Sequence, residues 1–163
     1  MHRVFGFALC AIGCAGTPAA VPHTSANALP AIDITRLDGQ AESARTLFIG
    51  SVAVIDLWAT WCTACEQERP KLERLHAAYA AQGLRVVGLD VGEAPSVVSA
   101  YLSENRISYP IYLDPDFRMA DALGEKRLPM ILIVDRSGRI VHRSPTLDAA
   151  VLASIKSELV SQP

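Results

Sequence analysis

A strong charge of either sign is missing from this sequence. Fifteen lysines and arginines stand against seventeen aspartates and glutamates, a net charge of −2 over 163 residues. The arginines are scattered rather than clustered, which excludes the basic face that nucleic acid requires and leaves no nucleic-acid partner. An apolar run long enough to cross a bilayer, about 20 residues, is also absent; the stretch from Val4 to Ile12 is too short. No nucleotide, flavin or haem motif occurs, and no internal repeat. Cysteine is scarce, with four in the whole chain. A structural metal site takes about four ligands, and beyond one close cysteine pair only the isolated His76 and His142 stand near the predicted elements.

Half of the residues are apolar and a fifth are charged, so the chain can bury one full-sized core. Composition divides it. Residues 1–14, "MHRVFGFALCAIGC", place Arg3 before an apolar stretch that ends in small residues, the pattern of a secretory signal. Ala11 to Cys14 resembles the bacterial lipoprotein cleavage box, although Ala11 stands where a large aliphatic residue is usual. Cys14 is therefore a lipidation candidate, and plain export or a short uncleaved anchor is the alternative. Cys10 reads as a small hydrophobe. Residues 15–30 turn to Ala, Pro, Thr, Ser and Asn without periodicity and are expected to form a flexible tether. Residues 31–163 then make one folded domain, expected to be monomeric, and Cys62 and Cys65 are the cysteines left within it.

Inside that domain "AIDITRLDGQ" alternates apolar and polar residues and closes on a turn at Asp38-Gly39. "SVAVIDLWA" and "LRVVGLDVG" are nearly continuous β-branched and apolar runs, as in strands covered on both faces. Between them Leu72, Leu75, His76 and Tyr79 recur at helical spacing, and Gly83 is placed to end that helix. Pro95 opens a helix to about Asn105, "YPIYLD" gives a strand, and Phe117 to Leu123 a short helix. "PMILIVDRSGRIVHRS" reads as an antiparallel hairpin and "LDAAVLASIKSELV" as a closing amphipathic helix. Such an order predicts a mixed sheet between layers of helices.

Cys62 and Cys65 fall where the first buried strand ends and its helix begins. A thiol at a helix N-cap meets unpaired amides and the positive end of the helix dipole, which favour its thiolate. Cys62 is thus the attacking thiol, and Cys65, one turn on, the resolving thiol that releases a mixed disulfide. Two bland readings compete. A permanent cross-link over so short a loop stabilises little, and a metal site lacks a second cysteine pair.

A cysteine pair at this spacing beside a strand–helix–strand pattern is a thioredoxin-like signal. "DLWATWCTAC", followed by Glu68 and Pro70, resembles the active-site segment of thioredoxin-fold thiol:disulfide oxidoreductases, in particular the exported TlpA-like group. "RLPMILIVDRSGRIVHR" resembles the segment where those proteins carry a cis-proline facing the cysteines. The resemblance implies an α/β three-layer sandwich with an α-β unit inserted after the second core strand. It makes Pro129 the cis-proline and Leu128 the residue whose backbone pairs with a bound substrate strand. Asp56 takes the place of a buried acid, where desolvation raises its pKa and makes it a proton acceptor for Cys65; an outward, solvated side chain is the alternative. Trp58 is expected in the core, and Trp61 at the site as a shield and contact surface. Glu68 and His142 are expected on solvated faces, and Pro70 to cost its helix a hydrogen bond.

The same resemblance implies no cofactor beyond the disulfide, a location in the periplasm or cell envelope, and a membrane electron donor. Its substrates would be exported cysteine-containing proteins such as apocytochromes c or metal-site proteins. "TA" between the cysteines carries no histidine, and Leu128 is apolar; both favour the reducing end of a range from about −270 to about −120 mV. A thiol peroxidase and a copper-binding assembly protein are the alternatives. The first lacks its proline pattern although Thr60 is present, and the second lacks a matched histidine.

Overall fold

A computed structural model describes residues 27–161. The expected secretory signal, the lipidation candidate Cys14 and most of the expected tether lie outside the described residues. The sheet has seven strands in the order β2-β1-β5-β4-β3-β6-β7. Its centre is β3 (Val52–Trp58), every residue of which is buried, as its unbroken apolar run requires. On one side β3 pairs in parallel with β4 (Leu84–Val91), and β4 with β5 (Ile111–Asp114). On the other it pairs antiparallel with β6 (Met130–Val134), which turns back as β7 (Ile140–Ser144). The antiparallel strands β1 (Asp33–Arg36) and β2 (Ala41–Ser43) extend the sheet beyond β5.

Strand alternation divides β3 between two cores. Val52 and Val54 pack with Leu72 and Leu75 of α2 (Thr63–Tyr79) and with Val151 and Ile155 of α5 (Ala149–Val160). Ala53, Ile55 and Leu57 face the opposite way, onto Phe48 of α1 (Ala44–Phe48) and Met119 of α4 (Arg118–Leu123). Asp56 and Trp58 consequently lie on the α2 side. There α3 (Pro95–Glu104) sends Val98 into a third cluster with Trp58, Cys62, Cys65 and Leu113 of β5. The fold is a mixed three-layer sandwich, and α3 with β5 forms the unit inserted after the second core strand. Among the described residues no helix is long and apolar enough to cross a membrane.

Two local expectations are corrected. Residues 27–30 do not belong to a tether: Ile140 N–H donates to the Asn27 carbonyl, Leu29 N–H to Gly138, and the Leu29 side chain is fully buried. One apolar residue among Pro, Ala and Asn has no period to betray it. β2 and α1, of three and five residues, are too short to show a periodic pattern in the sequence. Glu68 is not solvated; its residue is 8% exposed, and its carboxylate accepts from Lys71 Nζ at 2.7 Å, Thr146 Oγ1 at 2.9 Å and Leu147 N–H at 2.9 Å. It thereby ties α2 to the loop that leads into α5.

Burial pushes the Glu68 carboxyl up, but the hydrogen bonds from Lys71, Leu147 and Thr146 outweigh it and hold the group below the usual range. The stability it contributes is present above the ordinary glutamate pKa of about 4.3 and is lost as pH falls through its lower folded value. Glu68→Ala, which leaves the Leu147 amide unpaired, is expected to cost about 1–3 kcal/mol at pH 7 in urea unfolding. The deficit should shrink as pH is lowered below 4; a constant deficit would assign the cost to packing alone.

Candidate active site

The residues of interest gather at the carboxyl end of β3. Its last side chain, Trp58, leads through Ala59 and Thr60 to Trp61 and Cys62, and Cys62 is the N-cap of α2 with extended backbone. Cys62 and Cys65 form a disulfide with their Cα atoms 5.3 Å apart. The Cys62 sulfur accepts from the Cys65 N–H at 3.2 Å, and the Cys62 carbonyl accepts from the amides of Cys65 and Glu66. A sulfur at this place lies among the free donors of a helix start, the setting that stabilises a thiolate. The helix runs on through Pro70 to Tyr79. Both cysteines are buried, Cys62 at 5% and Cys65 at 2% exposure, so Cys62 is the more open of the pair.

Trp61, next to Cys62, is 69% exposed, whereas Trp58 is 2% exposed beneath the site. The Trp58 indole lies over Gly88 of β4, where a Cβ would come within 2.9 Å of Nε1; no larger residue fits there. Tyr101 of α3 packs against Trp58 with ring centroids 5.6 Å apart and planes tilted by 48°, and the Arg69 guanidinium sits over both rings. Arg69 also donates to the Tyr101 hydroxyl, which donates to Glu66. Leu128 packs against the cysteine cluster, and its bond to the buried Pro129 is cis.

Two carboxyls are buried on this face of the sheet. Asp56 is 3% exposed, its Oδ1 has no hydrogen-bond partner, and its pKa is pushed up to about 7. Burial is the main cause; Arg69 opposes it and Glu68 adds to it. Asp90 of β4 stands directly opposite Trp58 in the register, is fully buried, and has no partner for either oxygen. Burial and the neighbouring Glu93 raise its pKa to about 8. Glu93 in turn clamps the loop before Cys62, accepting from the Thr60 N–H at 2.5 Å and hydroxyl at 2.7 Å.

The structure therefore brings Cys62, Cys65, Trp61 and Leu128 together around one spot, with Asp56 on the sheet face under α2. Asp90 and Glu93 are additions to the sequence reading. An acid inside the run "VVGLDVG" is the same kind of signal as Asp56 in "VIDLW", whereas nothing local marks Glu93. His142 lies half-buried on β7, opposite Ile133. Among the described residues no group of three His, Cys, Asp or Glu side chains is placed to hold a metal ion.

Comparison with known proteins gives the same picture. The chain is 30% identical over 105 residues to the thiol-disulfide oxidoreductase ResA of Halalkalibacterium halodurans, covering 64% of this chain and 59% of that protein. With ResA of Geobacillus thermodenitrificans it shares 28% over 111 residues, 68% of this chain and 63% of the relative. The matches thus span less than two thirds of those relatives. In structure it is similar to a thiol:disulfide interchange protein of the thioredoxin family from Chlorobium tepidum, with a TM-score of 0.66 at 24% identity over 82% of this chain and 96% of that one. The thioredoxin domain of a thiol-disulfide oxidoreductase from Bacteroides vulgatus gives 0.70 at 22% identity, covering 83% and 97%. These likenesses fix the fold as thioredoxin-like. The AhpC/TSA family model matches residues 26–143, a span that holds the cysteine pair, both buried acids and the cis-proline, and the chain belongs to the AhpC/TSA family.

Proposed function

We propose that this chain is a thiol:disulfide oxidoreductase of the cell envelope, reducing or exchanging disulfides of exported cysteine-containing proteins through Cys62 and Cys65. The observation that carries the reading is the disulfide at the N-cap of α2, with the N-cap Cys62 flanked by exposed Trp61 and by Leu128 before a cis-proline. ResA relatives named as thiol-disulfide oxidoreductases support it. Residues 1–14, with Cys14 as the lipidation candidate, and the polar segment that follows fit export and tethering.

The reduced pair acts in two displacements. The Cys62 thiolate attacks a substrate disulfide, forming a mixed disulfide and expelling the first substrate thiolate. Cys65 then loses its proton to Asp56 and attacks the Cys62 sulfur; the second substrate thiolate leaves and the Cys62–Cys65 bond closes. Two electrons pass to the substrate, and a dithiol donor at the membrane returns them. The amides of the first turn of α2 stabilise Cys62 as attacker and as leaving group. Trp61 and the backbone of Leu128 hold the substrate segment. The Thr60 hydroxyl donates to Glu93 and so offers no free donor to the peroxidase alternative.

Four measurements test this reading. Cys62→Ser should abolish reduction of insulin disulfides, whereas Cys65→Ser should accumulate a mixed disulfide visible by mass; turnover by either variant would overturn the scheme. Because Asp56 accepts a proton only when ionised, resolution should speed up as pH rises through 7, and Asp56→Asn should remove that inflection and slow the step about 10²-fold. The folded state also holds the Asp56 proton more tightly than the unfolded chain does, so wild-type stability declines from the usual carboxylate range through pH 7. Asp56→Asn should therefore unfold later than wild type at pH 8. Equilibration with glutathione should place the potential nearer −270 than −120 mV, the ends of the range for this fold; a value at the oxidising end would reverse the direction.

A further inference from the structure

Phe117 is the one described non-glycine residue with positive φ, at 57°, in a region that bulky side chains avoid. Its ring is not tucked into the core by this conformation; the residue is 50% exposed. The ring rests instead on Gly92, itself at φ 84°, where any Cβ would overlap it. Phe117 thus departs from ordinary local preference, over a glycine whose missing Cβ leaves room for its ring, and presents that ring at the surface. Such outliers persist where the surroundings impose them, and they concentrate at functional sites.

The ring lines a groove of about 290 Å³ whose floor is Leu57, Val91 and Ala120, with Trp61 and Leu128 also lining it. At its rim Asp121 pairs with Lys126 and Glu125 with Arg143. Arg127 is exposed there with no ion-pair partner among the described residues, which disfavours a basic occupant. The N–H and C=O of Leu128 have no hydrogen-bond partner among the described residues. An extended segment pairing with that backbone gains main-chain affinity, and its alternate side chains read the pockets beside it.

We infer that Phe117 and Trp61 wall a slot for a large apolar side chain of the reduced polypeptide, within two residues of its disulfide cysteine. The inference rests on the oxidoreductase reading and names a feature of its substrates. Burying such a side chain in an apolar slot discriminates by about tenfold or more over a small one.

The test uses two peptides carrying a nitrothiobenzoate mixed disulfide, identical but for Phe or Ala two residues before the cysteine. Wild type should favour the Phe peptide about tenfold in kcat/KM, with the difference in KM. Phe117→Gly suits the local backbone and should bring the ratio near one, and Phe117→Trp should keep it. No preference in wild type, or an unchanged ratio in Phe117→Gly, overturns the slot. In parallel, the Phe peptide with Ser for Cys is titrated into the oxidised chain while the Trp61 indole resonance is followed. A shift that is lost in Phe117→Gly supports the slot even if no disulfide is reduced, which would sink only the oxidoreductase reading. Reduction of both peptides at equal rates with no Trp61 shift would sink only the slot.

Discussion

Everything at this site depends on where β3 stops. Its seven residues are buried on both faces, so the chain can leave the sheet only at the edge of the core, and there it turns at once into α2. Cys62 therefore meets a helix start with free amides while its neighbours Trp58 and Ala59 are still packed inside. Polarity and desolvation are imposed on one sulfur together. Thr60, bridged to Glu93 by two hydrogen bonds, fixes the short passage between strand and helix against the loop after β4, and Glu68 anchors the second turn of α2 to the α5 layer.

That arrangement was legible because its parts are local. An apolar run, a cysteine at the strand end and a second one turn later need no tertiary knowledge, and the helix of Leu72 and Leu75 shows plainly in its spacing. The hairpin is equally local, with Asp135 accepting from Ser137 and Arg139 across its turn. What could not be read depends on distant partners. Glu68 looks like any solvated helix charge until Thr146 and Leu147, nearly eighty positions on, supply its donors. Leu29 has no period, and its burial follows from hydrogen bonds to the far hairpin. Phe117 reads as the start of a helix face; only the backbone shows it turned the other way, with Gly92 beneath it.

The two buried carboxyls divide along the same line. Asp56 and Asp90 both interrupt apolar strands, and alternation places both on the face that α2 and α3 cover. Both are orphaned among the described residues and both bind their protons more tightly than usual. Their difference lies in company. Each has a second acid reinforcing its burial, Glu68 for Asp56 and Glu93 for Asp90, but Asp56 also has a cation, Arg69, opposing it.

The inserted unit does more than lengthen the sheet. Val98, Tyr101 and Leu113 all come from α3 and β5, and together they roof Trp58. Without that unit the Trp58 indole would lose the cover of Val98, Tyr101 and Leu113, so the same two elements that extend the sheet also keep water from the underside of the cysteine pair.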